Sequence, residues 1–294
     1  MAEPTATAKP TLAGAVAVTR AGPPRHLRVE RVMGMPVSID VRDPGAGAAC
    51  AERVAAALDE AFALLRAVDD RFSTYQAGSE VSRLARGELP ADAVSAELRE
   101  VLDLCERVRV LSDGAFDIHA PGLPLVPDPS GLVKGWAVER VARLLRRRGL
   151  RHLCVNAGGD VRVLGAADPA SGRPWRVGVR DPADRRRIVA VVEAPGPQGC
   201  AVATSGSYER GEHVLDPRSG RPARGLGSAT VVGPDLTFAD AYATAALAMG
   251  WQALRWAERL RPEGYALFLV APDGSSAWSA EFERYLPRRG TTAR

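Results

Sequence analysis

The order in which hydrophobic periodicities follow one another constrains this chain most. Helical spacing comes early. Val54, Leu58, Phe62, Leu65 and Val68 share one face of residues 48–69, and Leu98, Val101, Leu102, Cys105 and Val108 share one face of residues 95–111. Ser112-Asp113-Gly114 is a natural stop for the second stretch. Residues 132–148 read as a third helix, closed by Gly149. Before these helices, residues 27–41 read as a strand pair broken at Gly34 and Pro36. After them, short strand-type runs cover 151–156, 160–164, 175–180, 188–193, 200–204, 227–233 and 265–270. An Ala-rich helix over 237–249 and another over 252–259 lie between the last two runs. Pro272-Asp273-Gly274 predicts a hairpin turn. Residues 72–84 and 116–130 read as loop, the latter carrying Pro121, Pro124, Pro127 and Pro129. Regular strand–helix–strand alternation is missing, so the expected class is α+β, helices packed on a mainly antiparallel sheet.

Composition narrows the function classes. The net charge of +4 is small and spread out, which suits phosphate-bearing ligands but makes no nucleic-acid footprint. The runs Arg146-Arg147-Arg148 and Arg185-Arg186-Arg187 read as solvated faces, without the interleaved aromatics of a single-strand binder. Cys50, Cys105, Cys154 and Cys200 form no C-x-x-C pair, so they read as small buried hydrophobes rather than zinc ligands or a disulfide framework. Residues 1–24 read as a disordered leader with neither a signal peptide nor a lipid-attachment cysteine, and 289–294 as a disordered tail. Residues 25–288 form the expected domain, without a membrane span and with a cytoplasmic location.

Four segments carry chemistry. Val155 to Asp160 runs a strand through Gly158-Gly159 into an acid, which is either a plain tight turn or a backbone cradle for a ligand. Ser130-Gly131-Leu132-Val133-Lys134-Gly135 opens a helix, and helix N-termini hold phosphates. Of 39 Lys plus Arg, only Lys9 and Lys134 are Lys. Lys134 is therefore either a chance surface position or a site that wants a compact charge. Ala203-Thr204-Ser205-Gly206 is followed by His213-Val214-Leu215-Asp216-Pro217. His213 is a structural histidine on the generic reading and a general base on the functional one. Asp240 and Thr244, four apart on the Ala-rich helix, share a face. Asp240 is either an N-terminal cap or, with Thr244, part of a hard-cation site such as one for Mg²⁺.

Taken in order, seven segments resemble the ApbE family of FAD:protein FMN transferases. They are Met33-Gly34; Ser73-Thr74-Tyr75 with Ser79 to Ser82; Gly114 to Asp117; Gly131 to Gly135; Gly158-Gly159-Asp160; Thr204-Ser205-Gly206 with His213 to Pro217; and Ala239-Asp240-Ala241 with Thr244. The resemblance spans residues 32–250. It implies an ApbE-type fold and transfer of FMN from FAD, as substrate, to a Thr or Ser hydroxyl of an acceptor protein through a phosphoester, with AMP released. It implies that Met33, Tyr75, Ala115, Phe116, Asp117, Asp128, Lys134 and Val214 bind FAD, and that Gly131, Asp240 and Thr244 hold Mg²⁺. His213 would assist proton transfer.

The chain departs from the family pattern in places. Met35 stands where Thr is usual, Ser130 replaces a common Gly, and residues 118–128 are shorter than the norm. Two alternatives follow: an Mg²⁺-dependent FAD pyrophosphatase yielding FMN and AMP, and a non-enzymatic FAD-binding protein.

Overall fold

The computed structural model describes residues 25–45, 47–119, 128–184, 186–206 and 215–287. The expected leader and tail, with His213 and Val214, lie outside them. The chain opens with the antiparallel hairpin β1 (His26–Val32) and β2 (Met35–Val41), whose turn places Met33 and Gly34 at positive φ. Pro36, expected to interrupt the pair, sits within β2 opposite Arg31.

Helix α1 (Ala48–Phe72) buries Val54, Leu58, Phe62, Leu65 and Val68, the face its spacing marks. Helix α2 (Glu80–Ala85) falls inside a stretch that reads as loop. The Ser79 hydroxyl caps it by accepting the Ser82 N–H, a start signal that six residues of weak periodicity conceal. Ser95 caps α3 (Ala96–Leu111) in the same way. Helix α4 (Ser130–Arg147) follows, beginning two residues earlier than its apolar spacing suggests.

The strands then arrive: β3 (Leu153–Ala157), β4 (Asp160–Leu164), β5 (Ala166–Asp168), β6 (Arg173–Pro174), β7 (Arg176–Arg180), β8 (Ile188–Glu193), β9 (Cys200–Gly206), β10 (Leu215–Asp216), β11 (Arg221–Pro222) and β12 (Ser228–Gly233). Helices α5 (Leu236–Met249) and α6 (Ala253–Leu260) lead to the closing hairpin β13 (Ala266–Val270) and β14 (Ser276–Trp278).

One sheet of eight strands organises the molecule, in the order β1-β2-β3-β4-β9-β12-β13-β14, with every neighbouring pair antiparallel. This is the expected α+β class. Two layers cover the sheet. On one face α5 lies across β9 and β12, α4 packs against α5, and α1 packs against α4 and β1. The other face carries a second core in which Val161, Val163, Val202 and Phe268 meet Trp175, Val179 and Val192 of the β7–β8 ribbon region. Helix α5 is apolar almost all round and buried on nearly every side, with Ala239, Ala241, Ala243, Ala245 and Ala246 wholly covered. Small side chains let α4 and the sheet close on it at backbone distance. Among the described residues no helix is long and apolar enough to cross a membrane.

Candidate functional site

Polar side chains inside so apolar a helix need partners, and Asp240 of α5 finds its partners on α4. Asp240 lies in the second turn of α5 and is buried. It is not the cap: Asp235 caps α5 by accepting the Thr237 N–H at 2.8 Å. The Oδ2 of Asp240 instead accepts the backbone N–H of Gly135 at 3.0 Å. A regular helix aims that N–H at the carbonyl of Gly131, one turn earlier. Sharing it with Asp240 leaves the Gly131 oxygen spare accepting capacity.

The two glycines of α4 set this approach. A Cβ on Gly135 would stand 2.3 Å from the Leu236 carbonyl oxygen and 2.9 Å from Asp240 Cβ. A Cβ on Gly131 would come 3.2 Å from the Phe116 ring and 4.0 Å from the Thr244 hydroxyl. The start of α4, the Ala115-Phe116 turn and one face of α5 thus converge.

Lys134, between the glycines, reaches two carboxylates. Its ammonium pairs with Asp160 Oδ2 and stands 3.4 Å from Asp240 Oδ1. Asp160 opens β4 directly after the Gly158-Gly159 turn, in which both glycines have positive φ. Its Oδ1 accepts the Thr204 N–H at 3.0 Å. Each carboxylate therefore has one oxygen tied to backbone and the other turned toward Lys134. Burial pushes the Asp240 carboxyl well above the ordinary carboxylate value; Lys134 pulls it back and Asp160 adds to the rise. Beside them Ser205 and Thr244 join hydroxyl to hydroxyl at 3.2 Å, and Thr244 bonds to the Asp240 carbonyl at 3.3 Å.

A second buried carboxylate locks the two helices. Glu139, one turn beyond Gly135, pairs with Arg162 at 3.0 Å and accepts the Leu236 N–H at 3.1 Å. Helix α4 thereby holds the start of α5 while α5 holds the start of α4.

The remaining sequence candidates are distributed around this cluster. Ala115 and Phe116 are buried in it. Asp117 closes its own turn on the His119 N–H at 2.8 Å, and Asp128 accepts the Ser130 N–H at 3.0 Å at the mouth of α4. Met33 packs on the core at the hairpin tip, its N–H bonded to Asp69 at 3.1 Å. Met35 lies against the Gly158 turn, with its sulfur 2.9 Å from where a Cβ would stand. Tyr75 is 91% exposed and has no contact with the cluster among those described. His213 and Val214 fall outside the described residues.

Three groups in the cluster escaped the sequence reading as site residues: Asp160, Ser205 and Gly135. In sequence Asp160 reads as the acid ending a glycine turn and as part of a family segment, with no ligand role of its own. Its pairing with a rare lysine 26 residues upstream carries no local signal.

Oxygen donors dominate the cluster: the Asp240 carboxylate, the Thr244 hydroxyl and the Gly131 carbonyl. Among the described residues no three His, Cys, Asp or Glu gather into a metal cage. One carboxylate with neutral oxygens suits a hard divalent cation that keeps substrate phosphate oxygens as further ligands, and it does not suit zinc.

A family model described as the ApbE family matches residues 33–126 and 121–268. The FAD:protein FMN transferase of Salmonella typhimurium strain LT2 is 34% identical over 195 residues, covering 62% of this chain and 54% of that protein. The protein of the same name from Escherichia coli K12 is 34% identical over 175 residues, 55% of this chain and 48% of that one. The chain thus spans about half the length of these curated relatives. Among solved structures, the flavin transferase ApbE from Vibrio cholerae superposes with a TM-score of 0.75 at 25% identity, over 90% of this chain and 99% of the other. An ApbE protein from Thermotoga maritima matches with the same TM-score at 22% identity, over 90% of this chain and 100% of the other, a likeness of fold.

Proposed function

The chain belongs to the ApbE family, and from that premise we propose that it transfers FMN from FAD to a Thr or Ser hydroxyl of an acceptor protein, releasing AMP. We assign the activity to residues 25–288 as one unit. The observation that carries the proposal is the convergence of Gly131, Lys134, Asp240 and Thr244 from two helices onto one oxygen-lined cluster.

The donor set fits Mg²⁺. Asp240 would supply its carboxylate, Thr244 its hydroxyl and Gly131 its carbonyl; Thr244 bonds to the Asp240 backbone and Gly131 lies on the turn of α4 that faces it. When bound, such an ion neutralises pyrophosphate charge and stabilises the charge that builds on the leaving phosphate.

This chain's residues do the rest by position. The N-terminal end of α4 and the Lys134 ammonium favour the FAD phosphates. Ala115, Phe116 and Asp117, with Asp128 at the helix mouth and Met33 and Tyr75 farther out, are assigned to the FAD site, as is Val214 by its place in the motif. The acceptor hydroxyl oxygen forms a bond to the FMN phosphorus. The bond from that phosphorus to the bridging oxygen breaks, and AMP leaves with that oxygen. The hydroxyl proton passes to a base, for which His213 is the candidate.

The test is incubation with FAD and MgCl₂, with and without an acceptor protein bearing an exposed Thr or Ser motif, followed by mass spectrometry and AMP measurement. An acceptor heavier by one FMN, with one AMP per label, is expected. AMP with only unbound FMN would replace transfer by hydrolysis, and no AMP would leave an FAD-binding protein.

A further inference from the structure

Asp160 and Asp240 bring two negative charges into one buried pocket, and Lys134 supplies one positive charge between them. The oxygen of each carboxylate that faces away from Lys134 is held by a backbone N–H, from Thr204 and from Gly135, so neither carboxylate turns easily. The lysine differs. Its side chain is 24% exposed against 2% and 4% for the two acids, and its stem is flexible. It sits closer to Asp160 than to Asp240. The Asp240 oxygen that it attends, Oδ1, is the one left over after Gly135 has taken Oδ2, and so the one open to a cation.

We propose that Lys134 is an internal stand-in for the divalent cation. Its ammonium covers Asp240 Oδ1 until a divalent cation takes that oxygen, and then withdraws toward Asp160. Asp160 is then a positioning residue: it receives the displaced charge and keeps the ammonium at the edge of the phosphate site. The inference rests on the metal reading given above.

Charge arithmetic gives opposite signs for the two partners. Removing Lys134 removes a competitor and a repulsive charge, so the site binds cation more tightly. Neutralising Asp160 removes the ammonium's alternative partner and one attractive charge, so the site binds cation more weakly. Removing both restores the original net charge of minus one. A purely structural role predicts weakening, or no change, in both single variants.

The experiment measures Mn²⁺ binding to the full chain without FAD, by electron paramagnetic resonance of the unbound ion, with circular dichroism checking the fold. The expected result is binding about tenfold tighter in K134Q and about tenfold weaker in D160N, the scale of one nearby unit charge acting on a dication in a partly wet site. K134R and the double variant K134Q/D160N should stay within about threefold of the parent. Saturable Mn²⁺ binding that D240N abolishes, but that K134Q and D160N shift in the same direction or not at all, would keep the metal site and overturn the exchange. A parent chain with no saturable Mn²⁺ binding would remove both readings.

Discussion

Replacing Gly135 by Ala sets two effects of opposite sign against each other. Gly135 lies inside α4 and has no positive φ, so the helix itself prefers Ala by about 1 kcal/mol. The tertiary structure opposes the change. The new methyl group would stand 2.3 Å from the Leu236 carbonyl oxygen, which belongs to backbone and has no rotamer through which to yield. Relieving that contact means parting α4 from α5, at an overpacking cost of about 1–3 kcal/mol. Parting them also lengthens the Gly135 N–H bond to the buried Asp240 carboxylate, for a further loss of about 1.5–3 kcal/mol. Net destabilisation of roughly 1.5–5 kcal/mol is expected, a fall of about 3–9 °C in melting temperature for a chain of this size. Thermal unfolding followed by circular dichroism measures it, and Mn²⁺ affinity measured below the transition should fall together with it. A variant as stable as the parent, with unchanged metal affinity, would refute the argument that glycine is there for helix–helix approach.

Asp240→Asn should lower FMN transfer at least a hundredfold while leaving the circular dichroism spectrum unchanged; full activity in that variant removes Asp240 from the metal site. His213→Ala should slow single-turnover transfer by about 10²–10⁴ with FAD affinity nearly intact, and an unchanged rate ends its assignment as base. Glu139→Ala leaves the Arg162 guanidinium buried without a counter-ion and should cost about 3–5 kcal/mol in urea unfolding; a loss under 1 kcal/mol would mean that water reaches Arg162. Burial pushes the Cys105, Cys154 and Cys200 thiols to about 12, so a thiol reagent at pH 8 should spare these three in the native chain and label all four cysteines in denaturant. Their folded values lie above the ordinary 9.0, so the stability they contribute is present below pH 9 and is lost as pH climbs toward 12. Rapid native labelling of two or more thiols would contradict the burial.

Where one face of an element is buried, its residues announced it. The spacing in α1 and α3 and the alternation in β3 and β7 are local signals, and those elements lie close to where the pattern puts them. The six residues of α2 hold too few turns for a period to show and its cap is a serine among several, so the stretch reads as loop. At the site, residue types spoke before roles did. Asp240 and Thr244 stood out as polar residues on an apolar helix. Yet whether Asp240 caps the helix or reaches across it depends on which residue begins α5, and Asp235 is that residue. Lys134 stood out by rarity, but its partners come from β4 and α5, and no spacing rule links a helix start to the acid behind a distant glycine turn. Tyr75, expected at the FAD site, stands exposed beyond the end of α1.

The contact between α4 and α5 joins Gly135 to a carboxylate 105 positions farther along the chain. Between them the chain lays down β3, β4 and β9, and Asp160 and Thr204 enter the cluster from those strands. Closing so long a loop is entropically costly until the sheet beneath it exists, and pairings of such sequence separation slow folding. The proposed cation site is thus expected to be a late product of folding. Its affinity should emerge only in the slowest refolding phase, after helix signal has largely recovered. A fragment ending before α5 would lack the site however well its first helices form, which makes bound Mn²⁺ a reporter of the completed chain.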